Sequence, residues 1–242
     1  MAKEYDSITA RHYAAYRPSL HSQILKSYLN VDDKFNYGLD IGCGTGQSAI
    51  SLFDHCEKVV GVDTSKEMIE KSIIHTGVTY QIMQTNILDF DNDSFDIITF
   101  AGSLFYAKSQ KLLDEVIRVS KPIATIILYD FEVLMKDTFT LLGINNTAVN
   151  NDVYDHQTNF SGLDLNSIAI NKSYRESIIF DIKISDMAHL LLSAKDNYTS
   201  IATVLGKENV YEHLKWELRN KLGSDTTTLK ANTYLTAYTA IK

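Results

Sequence analysis

Short apolar stretches alternate with segments of helical period through the first half of the chain. We predict strands from the apolar stretches at 37–41, 58–62, 78–83, 95–101 and 123–130. Between them, apolar residues at helical spacing predict helices over 45–54, 65–74 and 109–119. Strands that alternate with helices are typical of βαβ units, in which helices cover both faces of a parallel sheet. The pattern therefore predicts an α/β fold: a Rossmann-like, doubly wound and mostly parallel sheet.

The segments on either side of this core follow a different pattern. Outside the core, we predict helices over 4–17, 21–29, 185–193 and 208–222, and strands over 176–184 and 233–241. Turn-forming residues dominate 143–173. We therefore divide the chain into four parts, at 1–35, 36–130, 131–200 and 201–242. The third part is expected to be an elaboration of the core, and the last strand is expected to close the sheet at an edge.

Composition narrows the possible classes of function. The chain has 242 residues and a formal net charge of −7, so a surface for nucleic acid or anionic membrane is not expected. Cys43 and Cys56 are too few for a disulfide framework and lack the spacing of metal ligands, so no metal is expected. The first residues lack the apolar region of a secretory signal, and no apolar run reaches the length of about 18 residues that spans a membrane. We expect a cytoplasmic globular protein.

The stretch LDIGCGTGQSA, at 39–49, places three of the chain's 11 glycines within five positions. It follows the first predicted strand and precedes a helix, which is where open α/β sheets bind ligands. Gly42 and Gly44 would allow a tight turn and a close approach of a ligand to the main chain. Gly46 would let the next helix pack closely, with its free N–H groups facing the ligand. A glycine-rich loop on its own also fits a purely structural turn.

Asp63 adds a second feature at the end of the next predicted strand. It lies 23 positions after Asp40, where a carboxylate that binds both ribose hydroxyls is expected. Thr64 and Glu67 then follow as a capping box, in which Thr64 caps the helix and Glu67 reaches back. The alternative is that Asp63 is only another acid at a helix entry.

The spacing of the glycines argues against a dinucleotide. A dinucleotide loop reads G-x-G-x-x-G, whereas the third glycine comes one position earlier here. Asp40, directly before the turn, would repel a pyrophosphate and attract an ammonium group. S-adenosylmethionine combines a ribose with an ammonium group and a sulfonium, so we expect it as the cofactor.

From about Tyr5 to Asp130, the sequence resembles the class I S-adenosylmethionine-dependent methyltransferases. LDIGCGTG resembles their first motif, GVDTSKEMIEKS the second and NILDFDNDSFDII the third. Met68 falls where a side chain commonly packs on the adenine. Asn86 stands where an acid usually accepts a hydrogen bond from the adenine amino group, and Gln84 is the alternative. The resemblance implies a set of cofactor-binding residues: Asp40, Gly42, Gly44, Gly46, Asp63, Thr64, Met68, Asn86, Ile87 and Ala101.

One motif departs from the family pattern. RVSKP, at 118–122, resembles the turn that leads into strand five, where two glycines usually follow the proline. Here Ile123 and Ala124 take their places. The turn is expected to be remote from the methyl group, so the departure casts little doubt on cofactor binding.

The segment YDSITARHYAAYRPS, at 5–19, resembles the N-terminal part of small-molecule methyltransferases similar to trans-aconitate methyltransferase. In those enzymes it folds over the cofactor, which implies a helical lid within residues 1–35. Tyr13, Tyr16 and Arg17 are then candidates to close the pocket, and Arg17 suits the methionine carboxylate through two parallel N–H bonds. An ordinary helix with a surface arginine and packed tyrosines is an equal alternative.

Two aromatic residues, Phe105 and Tyr106, follow predicted strand four. They are placed to line the methyl-transfer region, because aromatic faces hold a sulfonium without opposing its loss of charge. Related small-acid methyltransferases often carry a His-Trp pair there, so the resemblance leaves an aconitate-like acceptor in doubt.

The acceptor is expected to bind the elaboration, since the core is occupied by the cofactor. This makes 131–200 a substrate cap, with Tyr154 and Arg175 as candidate pocket residues. A carboxylate acceptor needs no general base, whereas a hydroxyl or an amine does. His156 and His189 are candidate bases, although each also fits an ordinary surface or core histidine.

Three functions fit the sequence. The leading hypothesis is an S-adenosylmethionine-dependent methyltransferase that acts by in-line displacement on a small-molecule oxygen or nitrogen, including a carboxylate. The second is a protein or RNA methyltransferase, of which the RNA form is disfavoured by the acidic balance. The third is a module that binds the cofactor without turnover.

Overall fold

The computed structural model describes residues 7–144 and 154–242. Its strands are β1 (Phe35–Ile41), β2 (Cys56–Asp63), β3 (Val78–Ile82), β4 (Phe95–Ala101), β5 (Ser120–Leu134), β6 (Ile168–Lys183) and β7 (Thr226–Ala240). Its helices are α1 (Ser7–Ala15), α2 (His21–Lys26), α3 (Gln47–Phe53), α4 (Lys66–Glu70), α5 (Leu104–Ala107), α6 (Gln110–Val119), α7 (Lys136–Leu141), α8 (Ile184–Leu192), α9 (Lys195–Leu205) and α10 (Val210–Leu222).

The seven strands form one sheet in the order β3-β2-β1-β4-β5-β7-β6. The neighbours from β3 through β5 are parallel, and Gly38 of β1 is in register with Val59 of β2 and Ile97 of β4. The predicted Rossmann-like, mostly parallel fold is therefore confirmed. Strand order reverses between β1 and β4, so the carboxyl ends of these strands border the crevice where such sheets bind ligands.

The described residues divide into two compact units, each with its own core. The sheet unit comprises 19–131, 154–176 and 233–242, and the helical unit comprises 7–18, 132–144 and 177–232. Buried side chains of β1, β4 and β5, among them Leu39, Ile98 and Ile126, pack in the core of the sheet unit. Full burial of a side chain of this kind stabilises the fold by about 1.5–3 kcal/mol. The core of the helical unit is built mainly from α8, α9 and α10.

Helix α6 shows how the local sequence sets the packing of the sheet unit. Ser109 caps its first turn by accepting a hydrogen bond of 3.2 Å from the N–H of Leu112. On its other face, Arg118 donates to the carbonyl oxygen of Leu88 at 2.6 Å, and Glu115 accepts from the N–H of Leu88 at 2.9 Å. The turn that follows β3 is thereby fixed to α6.

The final strand departs from its predicted place. β7 lies between β5 and β6, so β6 is the edge strand and the prediction of an edge position for the last strand was wrong. β6 also begins at Ile168, inside a segment whose composition favoured turns. Its polar residues pair across the sheet instead, since the side chain of Asn171 donates to Thr239 at 2.6 Å.

Helix α4 is shorter than predicted and is capped one residue later. Its N-cap is Ser65, whose side chain accepts a hydrogen bond of 3.3 Å from the N–H of Met68. The predicted cap at Thr64 was therefore wrong. Glu67 does not reach back to the cap, because it pairs with Lys71 at 2.6 Å, one helical turn ahead.

Candidate cofactor and substrate site

The three glycines between β1 and α3 all have left-handed backbone conformations. Their φ angles are 74° for Gly42, 54° for Gly44 and 96° for Gly46, which other L-residues adopt only with strain. The turn is closed onto the neighbouring strand, because the N–H groups of Gly42 and Cys43 donate to the carbonyl oxygen of Val62 at 2.8 and 3.0 Å.

The space around each glycine shows which of them pack against the protein and which could face a ligand. A Cβ atom on Gly42 would lie 2.3 Å from Cβ of Ser103, and one on Gly46 would lie 2.2 Å from the hydroxyl oxygen of Tyr80. At these two positions, the lack of a side chain leaves room for Ser103 and Tyr80, so both glycines are needed for packing within the fold. A Cβ on Gly44 would meet no described atom within 4 Å, so Gly44 is the glycine that faces open space.

Asp40 lies beneath this loop and is fully buried. Its two carboxylate oxygens accept hydrogen bonds from Ser48 at 2.5 Å and from Thr99 at 2.7 Å. Burial, with a smaller contribution from the nearby negative charge of Asp63, raises its pKa to about 6, although the two hydrogen bonds act to lower it. Because both oxygens are engaged inside the fold, the contribution of Asp40 to a ligand is a negative potential under the loop.

Asp63 joins the ends of β1 and β2. Its Oδ2 accepts a hydrogen bond of 2.9 Å from the N–H of Gly44, and its Oδ1 accepts one of 2.8 Å from the N–H of Ser65. A carboxylate has about four lone-pair positions, so each oxygen can accept a further hydrogen bond from a ribose hydroxyl. Thr64 lies between these contacts, and Met68 follows on α4 with 40% of its surface exposed.

Asn86 occupies the turn after β3 with a left-handed φ of 58°. Its side-chain oxygen is buried, and among the described residues it has no hydrogen-bond donor. A buried acceptor without a donor costs about 1–3 kcal/mol, so a ligand donor such as an adenine amino group would relieve it. Ile87 is 41% exposed beside it, while Gln84, the alternative to Asn86, pairs with Ile87 through the backbone.

The residues at the ends of β1, β2 and β3 therefore fit S-adenosylmethionine. They offer open space at Gly44, a half-buried carboxylate at Asp63 and an acceptor that lacks a donor at Asn86. Within the described ranges, no three His, Cys, Asp or Glu side chains are grouped so that they could hold a metal ion.

A second set of side chains surrounds the end of β4. Ala101 ends that strand, and Ser103 donates to the carbonyl oxygen of Ile41 on β1. The ring of Phe105 lies 4.6 Å from that of Tyr154, and Tyr106, which is 79% exposed, lies 5.6 Å from the same ring. The structure thus brings three of the predicted pocket residues together.

Asp130, on β5, forms hydrogen bonds with Tyr154 and with His156. Its Oδ2 lies 2.8 Å from the hydroxyl oxygen of Tyr154 and 2.8 Å from Nδ1 of His156. The His156 ring stacks on Tyr234, with centroids 5.8 Å apart, and the Arg175 guanidinium lies 5.2 Å from the Tyr234 centroid. Asp130, which the sequence analysis did not select, thus connects Tyr154 with His156 beside the end of β4.

One cavity is lined by Asp130, Tyr154, His156 and Tyr234, together with Gly102 and Phe105. Its volume is about 20 Å³, which is room for about one water molecule. An organic acceptor therefore enters only if a side chain in the cavity wall turns aside.

The other candidate base, His189, lies in the helical unit. Its Nδ1 is 2.8 Å from Nδ1 of His12, and its ring stacks on Tyr211 with centroids 4.3 Å apart. Burial lowers the pKa of both histidines, and for His12 the neighbouring His189 lowers it further. The structure therefore gives His189 packed partners within the helical unit.

The three candidate lid residues also belong to the helical unit. The guanidinium of Arg17 lies over the ring of Tyr13 at 4.4 Å, and Tyr16 packs against the core of the helical unit. Burial raises the pKa of Tyr16, and the charge of Asp186 raises it further.

Comparison with known proteins finds a family match within the sheet unit. Residues 39–128 match the family described as a methyltransferase domain. A provisionally named methyltransferase of Dictyostelium discoideum is 28% identical over 114 residues, which are 44% of this chain and 43% of that protein. An uncharacterised methyltransferase of Bacillus subtilis, YcgJ, is 33% identical over 99 residues, 38% of this chain and 39% of that protein. The matched part is thus less than half the length of these relatives.

Likeness to a solved structure extends over most of the chain. The structure of a provisionally named type II methyltransferase from Anaeromyxobacter dehalogenans has a TM-score of 0.62 and 16% identity, with 93% of this chain and 97% of that chain covered. At this identity the likeness concerns the fold. Among the described residues, no helix is long and apolar enough to cross a membrane.

Proposed function

We propose that this protein transfers the methyl group of S-adenosylmethionine to a small-molecule acceptor, since residues 39–128 match the family described as a methyltransferase domain. The observation that carries the proposal is the pairing of Asp63 with the loop. Its carboxylate accepts from the N–H of Gly44 at 2.9 Å, directly beside the open space at that glycine. A ribose on Asp63 would therefore lie next to the main chain of the loop.

The cofactor residues are assigned within this proposal. Asp63 would bind the ribose hydroxyls, Asn86 the adenine amino group and Gly44 the methionine part. Met68 and Ile87, both partly exposed, would flank the adenine. Asp40 would favour the ammonium group through its charge, and Gly42, Gly46, Thr64 and Ala101 would shape the site.

A small acceptor is supported by two observations. The net charge of −7 disfavours RNA, and the cavity beside the loop is narrow and lined by aromatic side chains. The resemblance of 5–19 to the group that includes trans-aconitate methyltransferase supports the same class. By that resemblance, Tyr13, Tyr16 and Arg17 would close over the cofactor, and residues 131–200 would contribute to the acceptor pocket.

The bound cofactor supplies an electrophilic methyl group on a sulfonium. The chain aligns the acceptor with that methyl group and excludes water from it. Phe105 and Tyr106 offer aromatic faces that attract a cation without placing a negative charge beside the sulfur. This matters because the sulfonium loses its charge in the transition state.

The proposal is tested by methyl transfer from S-adenosylmethionine with a labelled methyl group, in an extract separated into small-molecule, protein and RNA fractions. We expect label in small molecules with the wild-type chain. Asp63→Ala is expected to abolish the transfer, while Glu57→Ala, an exposed acid on the same strand, retains it. Label in protein or RNA, or label that does not depend on Asp63, would contradict the proposal.

A further inference from the structure

We infer that His156 is the general base of the methyl transfer, and that the acceptor is a weakly acidic hydroxyl on a flat, unsaturated ring. This inference rests on the proposed function and narrows it. The starting observation is that the imidazole of His156 and the carboxylate of Asp130 form a hydrogen-bonded pair of 2.8 Å in the cavity beside the glycine loop.

Asp130 fixes the orientation of the imidazole. One of its oxygens is held by the N–H of Phe131 at 2.7 Å, and the other faces both Nδ1 of His156 and the hydroxyl of Tyr154. Its side chain is 16% exposed and that of His156 is 31% exposed. The carboxylate is thus positioned from its own strand and from the segment that begins at Tyr154.

The partner of Nδ1 determines which nitrogen can act as a base. A carboxylate accepts the proton of Nδ1, so the lone pair of the neutral imidazole lies on Nε2. When Nε2 takes up a proton, the same carboxylate stabilises the resulting imidazolium. Asp130 is therefore a positioning residue that acts through His156. Among the described residues, titratable and charged groups near this ring include Tyr154 and Tyr234, Arg175 lies over the Tyr234 ring, and Asp155 lines the same cavity.

The pair lies next to the proposed cofactor site. The hydroxyl of Tyr154 donates to the carbonyl oxygen of Gly102 at 2.7 Å. The next residue, Ser103, packs against Gly42 of the glycine loop. Consecutive Cα atoms are about 3.8 Å apart. Gly102, which contacts Tyr154, and Ser103, which contacts the glycine loop, therefore place the pair of Asp130 and His156 close to that loop.

The surroundings of His156 select the acceptor. Phe105, Tyr154 and Tyr234 present aromatic rings to the cavity, which favours a flat ring in stacked or edge contact. A carboxylate acceptor is disfavoured, because it would lie close to the negative charge of Asp130 and would gain nothing from a base. A hydroxyl benefits, since its oxygen becomes a strong nucleophile only as its proton leaves.

The step balances in atoms and electrons. The acceptor oxygen forms a bond to the methyl carbon as the carbon–sulfur bond breaks, and the bonding pair of that bond remains on sulfur. The acceptor's proton passes to Nε2 of His156 and then to solvent, which reaches the partly exposed ring. The products are a methyl ether, S-adenosylhomocysteine and one proton.

The test compares two phenols that differ in acidity, with the purified full chain and S-adenosylmethionine. 4-Methylphenol is neutral at the assay pH and needs a base, whereas 4-nitrophenol is largely ionised and does not. For His156→Ala, we expect kcat/KM to fall about 100-fold with 4-methylphenol and far less with 4-nitrophenol. Added imidazole should restore part of the loss, and His213→Ala, an exposed histidine in α10, serves as the matched control.

Further readouts separate this inference from the proposed function and from a general loss of structure. Binding of S-adenosylhomocysteine should be unchanged in His156→Ala, and Asp130→Asn should shift the pH profile of kcat/KM for 4-methylphenol. Equal losses with both phenols would assign His156 a structural role and overturn the inference. Methylation of carboxylic acids but of neither phenol would also overturn it. So would the absence of any methylation by a chain that binds S-adenosylhomocysteine. Failure to bind S-adenosylhomocysteine would instead refute the proposed function, and this inference with it.

Discussion

The carboxylate of Asp63 and the main-chain N–H of Gly44 are joined by a hydrogen bond of 2.9 Å. The bond ties the end of β2 to the turn after β1, at the one loop glycine whose Cβ position is open to at least 4 Å among the described atoms. The same carboxylate therefore both shapes the loop and faces the space beside it.

Alanine at Gly46 should destabilise the fold much more than alanine at Gly44. Both positions have left-handed φ angles, which cost an L-residue about 1–2 kcal/mol. At Gly46 the new methyl would also overlap the ring of Tyr80, which adds about 1–3 kcal/mol of overpacking. Urea unfolding of Gly44→Ala and Gly46→Ala measures the difference. Equal losses would show that Tyr80 does not set the requirement at Gly46.

Ile123→Gly should stabilise the protein. Ile123 has a φ of 61° and is 82% exposed, so it bears the strain of a left-handed backbone without burying its side chain. Removing the strain stabilises the folded state by about 1–2 kcal/mol. The greater conformational freedom of glycine in the unfolded chain offsets about 0.5–1 kcal/mol of this gain. Thermal unfolding should show a midpoint about 2–4 °C higher. Ile123→Ala, which keeps the strain, should leave the midpoint nearly unchanged, and a gain equal to that of glycine would contradict the explanation.

The affinity for S-adenosylmethionine should fall on acidification through Asp40. Burial raises the pKa of Asp40 to about 6 in the free protein, and an ammonium group nearby would favour its ionised form. The ligand must then displace a proton below that pH, so the affinity is constant above about 6 and falls by up to about tenfold per pH unit below it. Calorimetric titration between pH 5 and pH 8 tests this. With Asp40→Asn this component of the pH dependence should disappear, and a wild-type affinity that does not change with pH would contradict it.

The histidine pair should make the helical unit sensitive to acid. Burial lowers the pKa of His12 and of His189 in the folded state, so the unfolded chain takes up protons first as the pH falls below about 6.5. Their contribution to the free energy of unfolding is therefore complete above that pH and declines below it. Asp40 acts in the opposite direction, because its raised pKa favours the folded state as the pH falls.

The comparison that isolates the pair uses His189→Gln against His213→Gln. The former should lose less stability than the wild type between about pH 7.5 and 5.5, whereas the latter should follow the wild type. Urea unfolding at both pH values measures each difference. Identical pH dependence in all three proteins would mean that the pair does not oppose protonation.

The sequence predicted the sheet unit well where a single physical signal dominated. In β1, β2 and β4, four consecutive residues are buried, so both faces are covered, and most of these residues are apolar, which is typical of the strands of a parallel sheet. The position of β7 was not predictable in this way. The alternation of apolar and polar residues along a strand indicates which face is buried, but it does not indicate which strands lie beside it. The start of β6 was missed for a related reason, since Asn171 and Ser173 favour turns locally but pair with β7 across the sheet.

The candidate site was predictable in part. Asp63 was predicted because it matches the ribose-binding acid of a known motif. Asp130 ends a similar apolar run in IILYD but belongs to no recognised motif. Its importance arises from contacts with Tyr154 and His156, which follow at least 24 positions later. His156 and His189 carried the same weight as sequence candidates, and only their partners, a carboxylate and a second histidine, distinguish them.

The most direct test of the central claim is calorimetric titration of the full chain with S-adenosylhomocysteine. We expect one site in the wild type, an affinity about 100-fold weaker in Asp63→Ala, which corresponds to the loss of about 3 kcal/mol of hydrogen bonds to a charged group, and an unchanged affinity in Glu57→Ala. NAD should give no heat of binding. Saturable binding that is the same in Asp63→Ala and the wild type, or binding of NAD alone, would contradict the assignment of this loop to S-adenosylmethionine.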